Sequence, residues 1–320
     1  MGRYIIRRIL WGIAMLFIVS AVIFLIFYIL PSSDPAVLRA GRNAGPQQIE
    51  AIRHSLGLDK PIYTQYFNYM KQVFLHFNFG YSYQYSIPVR QLILNRLPAT
   101  IWLVIGAVIL WLGIGITIGI ISAVRRRSVL DRVSMTGSLA FISAPVFWLG
   151  LVALYLFAQD IGKFKLFPGQ GSYAAASTPL DKASSMILPW LVLAAATAAI
   201  YARYMRASMI DTMGEDYIRT ARAKGVPERS VILRHGVRSA ITPIVTLVGL
   251  DIGVLLAGNA ILTETVFNIP GVGRLLYQAI SVSDLTTIQG ITLFGAFFII
   301  FFNLVVDIAY AYLDPRVRYS

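Results

Sequence analysis

Apolar residues in this 320-residue chain gather into six long runs, each near the roughly 20 residues that a helix needs to cross a hydrocarbon core of about 30 Å. The runs cover Trp11 to Leu30, about Ala99 to Val124, about Val133 to Ala158, about Met186 to Ala202, about Ile241 to Leu262 and about Thr286 to Tyr310. This pattern predicts an all-α, polytopic membrane protein with six transmembrane helices. Arg3, Arg7 and Arg8 precede the first run as they would in a signal peptide. Its apolar stretch exceeds the roughly 7 to 15 residues of a signal h-region, however, and Leu30-Pro31-Ser32-Ser33 offers no small-x-small cleavage site, so it reads as a retained helix. Gly106, Gly113, Gly115 and Gly119 in the second run include one G-x-x-x-G spacing and predict close approach of a neighbouring helix. Pro145 predicts a kink in the third run.

Between the first two runs, Pro46 to Leu56 places Ile49, Ile52 and Leu56 at helical spacing, with proline suited to the first helical position and Gly57 to the position after the last. A short helix is expected there. The stretch from Tyr63 to Tyr85 is rich in Tyr and Phe, which suits either the headgroup layer beside the bundle or a platform for an external protein. The chain thus divides into residues 1–98, a first helix plus a long loop region, and residues 99–320, a five-helix core carrying a basic segment at about 203–240.

Composition agrees, with 57% hydrophobic and only 13% charged residues and a mean hydropathy of +0.67, far from the roughly 25% charged of soluble domains. A soluble enzyme and a disordered chain are both excluded. With no cysteine, neither a disulfide framework nor a thiolate metal site can be built. The net charge of +13 would suit nucleic acid, but its location explains it otherwise. Basic residues cluster before the first run, at Arg125, Arg126, Arg127 and Arg132, from Arg203 to Arg238, and at Arg316 and Arg318. By the positive-inside rule these segments, and both termini, are cytoplasmic. The charge is then topological, and no nucleic-acid partner is expected.

No catalytic constellation is apparent. The histidines, His54, His76 and His235, lie outside the runs, and neither H-E-x-x-H nor a G-x-x-x-x-G-K-[ST] phosphate loop is present. Gly271-Val272-Gly273 reads as a turn. Two acids interrupt the apolar runs, where an ionisable group is costly and tends to face a bundle interior or a water cavity. Asp251 in the fifth run, with Asn259 nearby, is a candidate for the lining of a translocation path or else a buried packing group; Asp307 suits an end-of-helix acid near Arg316.

The segment from Gly214 to Gly225 reads as a short basic helix. Glu215 and Asp216 favour its start, Arg219, Thr220, Ala221, Arg222, Ala223 and Lys224 continue it, and Gly225 closes it. With Val231, Ile232 and Leu233 following, it forms a compact helix-turn-helix. This stretch resembles the cytoplasmic signature of permease subunits of ATP-binding-cassette importers, in the version of the dipeptide, oligopeptide and nickel permeases. Leu56-Gly57-Leu58-Asp59-Lys60-Pro61, Phe79-Gly80-Tyr81-Ser82, Leu262 to Phe267 with Pro270-Gly271-Val272-Gly273, and Asp314-Pro315-Arg316 are similar to that family's pattern. The generic signature's glutamate and downstream I-x-L-P are not matched: Arg219 and Thr220 stand where the glutamate and first alanine would be.

The resemblance implies a type I importer permease fold and a subunit without catalysis or bound cofactor of its own. It also implies a second homologous permease chain as heterodimer partner, two ATPase subunits holding ATP and Mg, and an external substrate-binding protein. Residues 215 to 225 would dock on the ATPase, with Ala221 and Gly225 on the family's small-residue positions. Di- or oligopeptides are the expected cargo, with nickel, glutathione or another small solute as alternatives. An ion-driven secondary transporter, with Asp251 as relay, and a non-transporting assembly subunit are the competing classes.

Overall fold

Backbone in hydrocarbon must pair its N–H and C=O groups internally, which forces long apolar runs into helices. The computed structural model describes residues 2–29, 36–37, 45–55, 57–82 and 84–313. In chain order its elements are α1 (Gly2–Phe24), continued by a wider π-type turn at Leu25–Ile29, α2 (Pro46–Ser55), α3 (Ile62–His76), β1 (Tyr81–Ser82), β2 (Ile87–Pro88), α4 (Val89–Val124), α5 (Val129–Ser143), α6 (Val146–Phe157), α7 (Ser172–Ala175), α8 (Pro179–Met213) and α9 (Asp216–Ala223). Short turns through Glu228–Ser230, Val231–Gly236 and Val237–Ala240 lead into α10 (Thr242–Val254), which is followed by α11 (Ile261–Val266), α12 (Val272–Ser281) and α13 (Leu285–Leu313).

Among the described residues, five helices are long and apolar enough to span a membrane: Tyr4–Ile29, Val89–Val124, Pro179–Met213, Thr242–Asn259 and Leu285–Ala309. The third apolar run is not one straight span. Helices α5 and α6 meet at 102°, so the kink expected at Pro145 is a sharp corner. Ala144, the residue before the proline, is extended (φ −83°, ψ 127°), as the clash with a following proline ring dictates. The fourth run becomes a helix well beyond its apolar stretch. A capping box between Thr178 and Asp181 starts α8, and the helix continues through Arg203 and Arg206 to Met213.

The core is the seam between α4 and α8. Ala198 and Ala202 of α8 face Gly115 and Gly119 of α4, so the two backbones approach closely. A methyl group at Gly115 would lie 2.8 Å from the Ala198 carbonyl oxygen, and one at Gly119 2.6 Å from the Met205 Cβ. Gly106 makes room for the indole of Trp190, whose Nε1–H donates to the Trp102 carbonyl at 2.9 Å. Gly113 takes no part, having open space where a Cβ would be.

The remaining elements brace this seam. Helix α1 lies on α13, and Arg8 pairs with Asp307 at 3.1 Å. Asp307 therefore has its partner on α1, whereas Arg316 lies outside the described residues. Helix α2 forms as expected, and Gly57 (φ +66°) follows it while the Leu58 N–H returns to the Arg53 carbonyl at 3.1 Å; Leu56 lies outside the described residues. The aromatic stretch divides in two. Tyr66 and Tyr69 pack with Phe24 and Tyr28 at the end of α1, while Tyr63, Phe67 and Phe77 are exposed and Tyr83 lies outside the described residues. The β1–β2 hairpin is tied to α13 by Ser82 Oγ–H, which donates to the Asp284 carboxylate that also accepts from Thr287.

Candidate translocation cleft and coupling segment

Where α4, α8, α10 and the turn after α10 converge, the bundle opens into a cleft of about 480 Å³. The volume suits a small organic solute. Asp251 within α10 and Asn259 at the end of the turn that follows it both line it, beside Trp111, Thr197, Tyr201 and Tyr204. Helix α10 ends there because the chain widens into a π-type turn over Leu255–Asn259 and Gly258 takes φ +101°, a conformation that a side chain opposes. Tyr201 is buried and its hydroxyl donates to Asp251 Oδ2 at 2.6 Å. The Trp111 indole is buried beside the Tyr201 ring (centroids 6.1 Å apart), and its N–H has no hydrogen-bond partner. Asp251 is the one charged residue in the lining among the described residues. A mostly apolar and aromatic lining with a few polar groups is the composition of a site that holds a small organic solute. Among the described residues, no group of three His, Asp or Glu is placed to hold a metal ion.

Behind the cleft, Glu264 organises the turn from α11 into α12. Its carboxylate is fully buried, accepts from Thr100 Oγ1–H at 2.7 Å and from the Arg274 N–H at 2.8 Å, and so caps the N-terminus of α12 from a distance. Thr100 in turn accepts the Val272 N–H at 2.9 Å. Burial pushes the Glu264 carboxyl up to about 7, against the opposing pull of Thr100, of the Arg274 and Gly273 backbone donors and of the Arg96 charge. Gly271-Val272-Gly273 is thus the start of a helix, and Gly273 sits so close to Gly258 that a Cβ would lie 2.5 Å from the Gly258 carbonyl oxygen.

At the arginine-rich end of α8, Asp131 and Arg206 form a two-bonded pair, Nε to Oδ1 at 2.7 Å and Nη2 to Oδ2 at 2.9 Å. Asp131 also accepts the Arg127 N–H, and Ser128 caps α5 through the Asp131 N–H. The pair clamps the start of α5 to α8. Sequence reasoning passed over it, although Ser128-x-x-Asp131 is the spacing of a capping signal.

Helix α9 leaves α8 after Gly214. Glu215 occupies its N-cap position, Asp216 its first turn, and Arg219 reaches back to Asp216 at 3.4 Å. Ile218 is fully buried and anchors the helix to the following turn. Arg222 grips Glu228 with two bonds, of 3.1 and 2.7 Å, across the turn that Gly225 makes at φ +74°. Their mutual bonding holds the Glu228 carboxyl below the usual carboxylate range and raises the Arg222 guanidinium. Thr220, Ala223, Lys224 and Gly225 are exposed, Ala221 is half-buried, and a Cβ at Gly225 would meet nothing within 4 Å. The result is a short helix anchored through Ile218 and tied at its C-terminal end by Arg222 and Glu228.

A family model described as binding-protein-dependent transport system inner membrane component matches residues 115–319, and the model of the N-terminal part of such components matches residues 1–104. The chain belongs to this family of permeases. Similar curated proteins include the glutathione transport system permease protein GsiC of Escherichia coli (strain K12) and that of Shigella flexneri serotype 5b (strain 8401), each 43% identical over the full length of both chains. The protein of the same name from Shigella boydii serotype 4 (strain Sb227) is 42% identical over the same span. The permease is a multi-pass inner-membrane protein of an ATP-binding-cassette importer, a non-enzymatic, channel-forming subunit within the peptide and nickel importer group. Family membership sets aside the ion-driven alternative.

Proposed function

We propose that this permease supplies one half of the path by which a small peptide enters the cell, with a second homologous permease chain enclosing the other half. Two separate ATPase subunits, holding ATP and Mg, drive the cycle, and an external binding protein delivers the cargo. The arginine-rich loops and both termini face the cytoplasm. Glutathione is the first cargo to test, because the similar permeases carry that name; other di- and oligopeptides follow.

The observation that carries this reading is the geometry of α9, the helix that docks on the ATPase. It extends directly from α8, which lines the cleft, and it presents exposed small residues over a buried Ile218 anchor. A push on α9 therefore passes through the turn at Gly214 and Glu215 into α8 and along it to Tyr201 and the cleft. The test is purification of the tagged chain in mild detergent, followed by reconstitution with the proteins that accompany it. A stoichiometric ATPase, a second six-span chain and uptake abolished by ATP depletion are expected. Purification of an intact chain without an ATPase, or uptake stopped by an uncoupler and indifferent to ATP, would contradict the proposal.

A further inference from the structure

We propose that Asp251 is a subsite for the ammonium group of the transported solute, with Tyr201 as the residue that positions it. The inference rests on the import of peptides proposed above and names the chemistry by which the cleft grips them. An acid at membrane depth is costly and calls for a compensating partner. Among the described residues, Asp251 has none that is cationic. Its Oδ2 takes the Tyr201 hydroxyl, and no lysine, arginine or histidine pairs with it. The carboxylate thus keeps acceptor capacity open toward a cleft in which it is the one charge among the described residues.

The rest of the lining fits the same ligand. Tyr204 is exposed and supplies a ring face of the kind that accommodates an ammonium group, with the buried rings of Tyr201 and Trp111 packed behind it. Thr197 and Asn259 add hydrogen-bonding groups suited to peptide amides. Tyr201 is held in the tight seam against α4, so its hydroxyl fixes the carboxylate in one orientation. A cleft so furnished favours solutes with a free amino group over neutral ones of the same size.

The test uses the complete importer in nanodiscs, titrated with alanyl-alanine amide, which carries an ammonium group, and with its neutral N-acetylated form; affinities are read by saturation-transfer NMR. The wild type should bind the cationic probe at least tenfold more tightly than the neutral one. Asp251→Glu keeps the charge and should keep the preference. Asp251→Asn can still accept the Tyr201 hydroxyl, so the fold is retained while the preference vanishes. Tyr201→Phe should weaken the preference severalfold. Equal binding of the two probes by the wild type, absence of binding included, overturns the proposal, as does an unchanged preference in Asp251→Asn. ATP-driven uptake by the same wild-type preparation is read alongside. Uptake with no probe preference defeats the subsite alone, whereas a preference without ATP-driven uptake defeats the importer mechanism and leaves the subsite standing.

Discussion

Replacing Glu264 by leucine should be among the most damaging single changes available in this chain. The carboxylate is fully buried and takes bonds from the Thr100 hydroxyl and the Arg274 N–H. Leucine leaves both donors unsatisfied, each at about 1–3 kcal/mol, so a loss of about 2–6 kcal/mol is expected. Glutamine keeps an acceptor and should cost far less, about 1–2 kcal/mol. Acidity adds a second signature. Burial raises the Glu264 carboxyl from 4.5 to about 7. The folded protein then holds the proton more tightly than the unfolded chain, so stability is fully present below 4.5 and declines as pH rises towards about 7. That interval corresponds to about 3 kcal/mol. Glutamine does not titrate, so wild type minus Glu264→Gln isolates the effect. Unfolding by SDS titration in detergent micelles, at pH 4.5 to 8, reads both quantities. A Glu264→Leu protein within about 1 kcal/mol of wild type, or a wild-type-to-Gln difference flat across that range, would refute the assigned role.

Other consequences are equally direct. Arg206→Ala leaves the buried Asp131 carboxylate without its partner and should cost about 3–5 kcal/mol, whereas joint replacement of both residues by leucine should recover most of the loss, read by the same SDS titration. Gly115→Val forces α4 and α8 apart and should cost about 1–3 kcal/mol, while Gly113→Val, where the space is open, should be close to neutral in its effect on the seam. Gly225→Asn tolerates the left-handed turn and should retain ATP-driven uptake. Gly225→Trp meets nothing within 4 Å and should still insert, but at φ +74° it strains the turn; it should lose coupled uptake where Gly225→Asn keeps it, and normal uptake in that variant would count against docking through α9.

Much of the architecture was legible because bilayer thickness imposes a length that few soluble helices share. All six apolar runs became helical, and α9 was readable from Glu215, Asp216 and Gly225, whose effects are local. The 102° corner at Pro145 was announced by the proline but not its size, since the angle depends on how α6 settles Gly150 against Val266. The glycines of α4 could be listed but not sorted: spacing cannot reveal that Gly113 faces open space while Gly115 and Gly119 meet α8.

Long-range polar partners were the least accessible. Asp251 stood out as an acid in an apolar run, yet Tyr201 lies 50 residues earlier on another helix and carries no mark of its own. Glu264 and Thr100 are 164 residues apart, so the acid's capping of α12 emerges only when the two ends of the bundle meet. The same holds for Asp131 and Arg206, separated by 75 residues. Arg206 had counted only as one of many charges setting orientation.

The central claim, that α9 docks on an ATPase, is open to a direct measurement because the chain contains no cysteine. A single cysteine at Ala223, labelled with a benzophenone maleimide and irradiated in the purified complex, should give a covalent adduct with the ATPase subunit. The same label at Tyr277, exposed on α12 at the far end of the bundle, should give none. An adduct from position 223 alone is the result this account predicts; no ATPase adduct from position 223, or equal yields from both positions, would contradict it.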